Sequence, residues 1–319
     1  MINRIVLSIV LIGIISTVTL AQEDFNVQNL TPSTLLPTGK WEIKSFNSNY
    51  TQTEFFNEEG KREDASGGTL YNDNGTVRTN VNTTRNTFFT SVNQINYGLS
   101  SRLNIGVEFW VNASERSADS DSRFSTLNFN QSANARTGLS YVGAKIKFVP
   151  ISEVNNLSIQ STFLIPIAKD LESSLQFPRP FVNWDNYTWI NQFFLDVPLN
   201  DRWLLFLNLD VVWGISRNSE VHQQRSNRFT IPVKVFMNYF ATSRLTFLMQ
   251  TEYNEIWQAF GDEINREKKS AYYFQLGPSI KYQLIPGKLE SEVGYNYFLA
   301  GNNGQGAGNS INLGLRILL

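Results

Sequence analysis

The stretch WLLFLNLDVVWGI, residues 203–215, alternates strictly. Trp203, Leu205, Leu207, Leu209, Val211, Trp213 and Ile215 share one face. Leu204, Phe206, Asn208, Asp210, Val212 and Gly214 share the other. A period of two marks a β-strand, because successive side chains leave a pleated backbone on opposite sides. One face here is wholly apolar and carries a tryptophan near each end. The other holds Asn208 and Asp210 at its centre.

The same dyad recurs along the chain. It is clear at 103–111 (Leu103, Ile105, Val107, Phe109, Val111) and at 229–239 (Phe229, Ile231, Val233, Val235, Met237, Tyr239). Further examples start at Val142, Leu157, Tyr187, Leu245, Tyr272 and Leu289. Two early segments, 41–54 and 86–98, have β-rich composition but a blurred alternation. The chain closes on SINLGLRILL, 310–319, still in pattern. The reading predicts twelve strands: 41–54, 86–98, 103–113, 137–149, 156–166, 186–197, 203–216, 229–240, 245–257, 271–284, 288–299 and 310–319. Most match or slightly exceed the ~9–11 residues with which a tilted strand crosses a bilayer.

Connections alternate in length. Long polar ones fall near 55–85, 114–136, 167–185, 217–228, 258–270 and 300–309. Tight turns lie between them at 100–102, 150–155, 198–202, 241–244 and 285–288. Long and short connections alternating around an even strand number predict an all-β fold. Specifically, they predict a 12-stranded antiparallel up-and-down transmembrane β-barrel in a Gram-negative outer membrane. Short turns would face the periplasm. A soluble sandwich also alternates, but its strands are shorter. Here the apolar faces also end in aromatics: Trp203, Tyr239 and Tyr282 on the turn side, and Trp213, Tyr253, Tyr272, Tyr187 and Trp189 on the loop side. Rings at both interfaces predict an aromatic girdle. An unpaired edge cannot lie in hydrocarbon, so the last strand should pair with the first.

The amino terminus carries Arg4, an apolar run from Ile5 to Ile15, and the small-residue site Thr19-Leu20-Ala21. It reads as a signal peptide over 1–21, with an uncleaved anchor as the alternative. Residues 22–36 would then be a periplasmic segment able to plug the lumen, and 37–319 the barrel. Loss of Arg4 takes the 27 basic residues to 26 against 28 acidic, which argues against nucleic acid as a partner. Mean hydropathy is −0.24, so the chain is no helical membrane protein. There is no cysteine, hence no disulfide framework or thiolate metal site.

NLGLRILL resembles the terminal assembly signal of bacterial outer-membrane barrels. The resemblance falls on Asn312, Gly314, Ile317 and Leu319, with leucine last where phenylalanine is common. It implies the barrel assembly machinery as a partner, alongside outer-membrane lipid. More loosely, the chain resembles the transporter-like barrels of the MetA-pathway (phenol degradation) family, including the opening STLLPTGKWEIK.

With apolar dyads toward lipid, the lumen receives Glu42, Glu108, Asp196, Asp210, Glu252, Glu290 and Glu292. It also receives Lys44, Lys145, Lys147, Lys234, Lys281 and Arg316. Such near balance predicts ion pairs bracing the wall more than a one-signed selectivity ring. Strand direction puts Glu108, Asp210, Lys234 and Glu252 near mid-height, as constriction candidates. Trp110, Tyr141, Phe206, Phe236, Tyr273 and Phe298 also point inward, to fill space or to form an apolar path.

Catalysis finds no support. His222 is the only histidine, and Gln223 and Gln224 stand where a barrel phospholipase would place its serine. Glu58, Glu59, Glu63 and Asp64 read as a solvated charge run. GGTLYNDNG, 67–75, lacks the lysine and helix of a phosphate loop. No cofactor or metal is expected. The sequence therefore predicts a channel for passive passage of small, hydrophobic or aromatic solutes. The alternative is a non-transporting barrel whose loops or periplasmic side bind a partner.

Overall fold

The computed structural model describes residues 33–64, 70–72, 76–77, 84–118, 121–169, 171, 180–217, 227–260 and 267–319, with the backbone alone at 84, 258–260 and 267–270. One sheet contains every strand: β1 (Trp41–Phe56), β2 (Arg62–Asp64), β3 (Thr84–Ser100), β4 (Leu103–Ala118), β5 (Ala135–Phe148), β6 (Leu157–Pro166), β7 (Tyr187–Asn200), β8 (Trp203–Ile215), β9 (Arg228–Phe240), β10 (Leu245–Phe260), β11 (Glu267–Ile285), β12 (Leu289–Gly301) and β13 (Gly306–Leu318). β2 is a short spur on the end of β1, pairing Glu54 with Asp64. The other twelve follow one another around the sheet, and β13 returns to β1. The result is a closed antiparallel barrel of twelve strands.

Closure satisfies the backbone where neither water nor another chain could. The seam runs from Glu42 opposite Leu318 to Phe55 opposite Gly306. Its last rungs join the chain ends: Trp41 N–H donates to the Leu319 carbonyl at 3.1 Å, and Leu319 N–H to the Trp41 carbonyl at 2.9 Å. The turns are tight. Gly287, between β11 and β12, has φ +71°, a left-handed conformation that a β-carbon would disfavour.

The pleat sorts the faces as the alternation predicts. Leu209, Val233, Phe247, Ile280 and Leu313 are exposed on the outer wall. Outward aromatics form two belts. Trp41 with Tyr97 (4.7 Å between ring centroids) and Trp203 with Tyr239 (4.8 Å) ring the turn end. Trp189 with Trp213 (6.5 Å), Tyr253 with Tyr272 (6.0 Å) and Phe229 with Trp257 (5.7 Å) ring the loop end. The interior is polar, with Glu108, Asp210, Asn208, Glu252 and Gln275 buried there.

Several strands outrun their apolar pattern at the loop end. β4 continues to Ala118, β10 to Phe260, β11 begins at Glu267 and β13 at Gly306. Beyond the apolar band both faces of a strand can be wet. Side-chain polarity then stops reporting strand structure, while the backbone ladder continues. Residues 1–32, on which the expected signal peptide and most of the expected periplasmic segment fall, lie outside the described residues.

Candidate transport lumen

The inward charges settle into local clusters. Glu42 on β1 receives Arg316 Nε of β13 at 2.6 Å, Lys44 Nζ at 3.1 Å and Asn96 Nδ2 of β3 at 2.9 Å. That cluster straddles the seam. Glu108 on β4 receives Trp110 Nε1 at 2.5 Å and Gln94 Nε2 at 2.8 Å, and lies 3.8 Å from Lys145 Nζ. Asp210 on β8 pairs with Lys234 of β9 at 3.2 Å and accepts from Gln192 of β7 at 3.0 Å. Lys234 stands opposite Glu252 of β10 in the ladder. Glu252 accepts from the Tyr273 hydroxyl and from Gln275 Nε2, each at 2.7 Å. Lys281 and Glu292 pair at 3.5 Å, and Glu290 faces Arg316 across the β12–β13 ladder.

Of the four constriction candidates, Asp210, Lys234 and Glu252 therefore sit side by side on β8–β10. Glu108 belongs to a separate cluster on β3–β5. The pairing follows from register: antiparallel neighbours put inward residues of adjacent strands directly opposite, where opposite charges stabilise and like charges do not.

A cavity of about 420 Å³ opens along the inner wall of β8–β13 and β1. Its lining mixes Phe46, Phe206, Phe236 and Phe298 with the polar Lys234, Glu252, Gln275 and Asn296. A second cavity of about 200 Å³ lies toward the turn end among Glu42, Lys44, Lys145, Lys147 and Gln160. Inward aromatics pack at tilted angles around the first cavity. Phe206 lies 5.2 Å from Phe236, and Tyr273 lies 5.1 Å from Phe298. Trp110 and Tyr141 do not line it. They pack edge-on at 5.7 Å in an apolar cluster with Leu164, Leu171 and Val182.

That cluster is the part of the site sequence reasoning missed. The described parts of the connection between β6 and β7, residues 171 and 180–186 among them, fold down into the barrel. Asn112 Nδ2 donates to the Val182 carbonyl at 3.2 Å, and the Tyr141 hydroxyl donates to the Trp184 carbonyl. Arg136 reaches the Lys169 carbonyl at 3.2 Å. Arg217 pairs with buried Asp185, and the Arg228 guanidinium lies 4.7 Å over the Trp184 ring. The signal was present: Leu171, Phe181, Val182 and Trp184 are large apolar residues in a connection that otherwise should face water.

The other end is narrowed from below. The Ser33 hydroxyl donates to Asp196, Lys147 Nζ donates to the Thr34 carbonyl at 2.6 Å, and Leu36 packs against Leu318. Leu318, the leucine that broke the closing alternation, thus faces inward onto the incoming chain. Among the assembly-signal residues, Asn312 and Gly314 point inward, opposite Ser48 and Phe46. Ile317 faces lipid opposite Ile43, and Leu319 closes the seam. His222 lies outside the described residues. In the acidic run, Glu59 pairs with Lys61 at 3.1 Å and Glu63 accepts from Asn57 at 2.7 Å. Among the described residues no cluster of potential metal ligands occurs.

A closed antiparallel wall, an apolar band between two aromatic belts and a polar interior define the class: a transmembrane β-barrel of the bacterial outer-membrane type. No family model matches the chain, and no curated protein matches it in sequence. Solved structures match its fold. An outer-membrane channel from Pseudomonas putida F1 superposes with a TM-score of 0.62 at 12% identity, over 94% of this chain and 100% of that one. The β domain of the Bordetella autotransporter BrkA gives 0.51 at 11% identity, over 88% and 99%. The P. putida toluene transporter TodX aligns more loosely, at 0.42 and 11% identity over 91% and 92%, too loosely to bear on function.

Proposed function

We propose that the barrel passes small solutes with an apolar or aromatic body and a polar tip. The observation that carries this reading is the cavity of about 420 Å³, whose lining interleaves phenylalanines with Lys234, Glu252 and Gln275. That volume suits a small organic molecule, and the mixed lining is how pockets hold one without trapping it. The P. putida channel with the same fold is consistent with passage through such a barrel.

Planar-bilayer recording tests the reading, with discrete conductance steps expected. Vesicles should admit a small phenol faster than a hexose of similar mass. Glu252→Gln and Asp210→Asn should lower cation preference. One charge a few ångströms from a hydrated ion is worth about 1 kcal/mol, so the permeability ratio should change by up to about fivefold. Silent bilayers, or an unchanged ion preference, would count against the channel. A second reading, a barrel that binds a partner and does not transport, draws on the chain segments at 33–36 and 180–186 that occupy the lumen. Silence combined with a protein partner recovered on pull-down would favour it.

A further inference from the structure

The blurred alternation of β1 and β3 has a structural counterpart on the outer wall. Successive outward positions of β1 are Ser45, Asn47, Asn49 and Thr51, and those opposite on β3 are Asn93, Ser91, Phe89 and Thr87. Other outward polar groups are sparse and mostly spent within the wall. Ser161, beside Asn191, accepts from Trp189 Nε1 at 2.8 Å, and Ser291 donates to the Tyr282 carbonyl at 3.3 Å.

The chain covers the upper part of this polar stripe itself. The connection after β4 folds down over the outside of the wall. Thr126 Oγ1 donates to Asn49 Oδ1 at 3.1 Å, and Asn49 Nδ2 donates to the Arg123 carbonyl at 3.0 Å. Phe129 meets Phe89 edge-on at 5.7 Å. Below it a polar island remains: Ser45, Asn47 and Asn93 are half-buried, and Ser91 beside them is buried. Leu313 and Leu315 of β13 flank it on one side, and Phe109 and Val111 of β4 on the other. Asn47 is six residues beyond the girdle residue Trp41. At ~3.3 Å per residue and a tilt near 40° the island sits about 15 Å above that girdle, near the middle of a band about 25 Å tall.

Both asparagine amides are engaged within the wall. Asn47 Nδ2 donates to Ser45 Oγ at 3.2 Å and to the Leu313 carbonyl of β13 at 3.4 Å, and Asn93 Nδ2 donates to Ser91 Oγ at 3.0 Å. Among the described residues no hydrogen bond reaches the Oδ1 of either asparagine. Against lipid tails such an acceptor has no partner, and an unpaired amide oxygen in hydrocarbon is unfavourable.

We propose that this island is the contact surface between two copies of the chain in the membrane. Two features select a second copy as the occupant. The sequence Ser-x-Asn occurs on both antiparallel strands, as Ser45-Phe46-Asn47 and Ser91-Val92-Asn93. With Ser45 opposite Asn93 and Asn47 opposite Ser91, a half-turn about the membrane normal that lays one island on another sets each serine against an asparagine. Barrels inserted in the same sense can pair about a two-fold along the membrane normal, which brings a patch onto itself. Asparagine and serine both donate and accept, so the island complements its own image. A lipid tail offers neither donor nor acceptor.

The chain contains no cysteine, which makes the test direct. Ser45→Cys, Asn47→Cys, Ser91→Cys and Asn93→Cys are made singly and oxidised in outer membranes or treated with a short bismaleimide. At least one should give a covalent dimer of this chain, because a two-fold axis through the island brings one position near its own copy. Leu209→Cys, exposed on β8, should stay monomeric. The double variant Asn47→Leu/Asn93→Leu should lower the dimerisation constant in lipid about tenfold or more, read by subunit photobleaching. Heat-modifiable gel migration shows that the barrel has folded. Monomer throughout, or a cross-link from all four positions to another protein only, would overturn the proposal.

Discussion

Glu42→Gln should loosen the barrel at its seam. The Glu42 carboxylate is buried and holds Arg316 of β13 at 2.6 Å, Lys44 of its own strand at 3.1 Å and Asn96 of β3 at 2.9 Å. The glutamine is nearly isosteric, so packing is kept and the charge is lost. Lys44 and Arg316 are then left side by side, next to a cavity that also collects Lys145 and Lys147. Removing one partner of a buried ion pair costs about 3–5 kcal/mol. The lumen is wet, however, and the Lys44 side chain keeps 32% of its exposure. A value below that range, about 2–3 kcal/mol, is therefore expected after allowing for solvent screening. With a urea slope of about 2–3 kcal/mol/M, the unfolding midpoint in lipid vesicles should fall by about 1 M. A double-mutant cycle with Arg316→Met isolates the seam interaction. Coupling below about 0.5 kcal/mol would refute the argument, since residues in one ion-pair network should couple by more. A midpoint change in Glu42→Gln without coupling would mean that the cost arises elsewhere in the cluster.

Two other perturbations separate wall from contents. A β-carbon on Gly143 would fall onto the Phe163 carbonyl oxygen of the neighbouring strand, so Gly143→Val should cut the yield of heat-modifiable barrel severely, while Ala144→Val on the outward face should not. Removal of residues 22–36 takes away Leu36 against Leu318 and the carbonyl held by Lys147. If this segment narrows the turn-end mouth, single-channel conductance should rise and the barrel should still fold; unchanged conductance would place the restriction higher, at the inward-folded β6–β7 connection.

How the fold was legible is visible at particular residues. The alternation of β8 told which face meets lipid, since Leu209 and Asp210 differ in the medium each can enter. Closure was legible as well, because a strand edge in hydrocarbon is forbidden and Ile317 and Leu319 kept the lipid-facing pattern to the chain end. The inward charges were legible as a set, but their grouping was not. Asp210 finds Lys234, while Glu108 finds Lys145 and Trp110, through register between strands. Register depends on turn geometry and bulges, such as the one at Ser140 of β5, which faces the step between Trp110 and Val111 of β4.

The sequence alone determined strand number, strand faces, the two belts and the pairing of the ends, because each is enforced by periodicity against a slab of fixed thickness. Only the tertiary structure decided what fills the barrel and what covers its outside. The β6–β7 connection turns inward onto Trp110 and Tyr141, and the β4–β5 connection turns outward onto Asn49 and Phe89. Both choices rest on contacts between residues far apart in the chain. A connection has no period to announce which side of the wall will bury its apolar side chains.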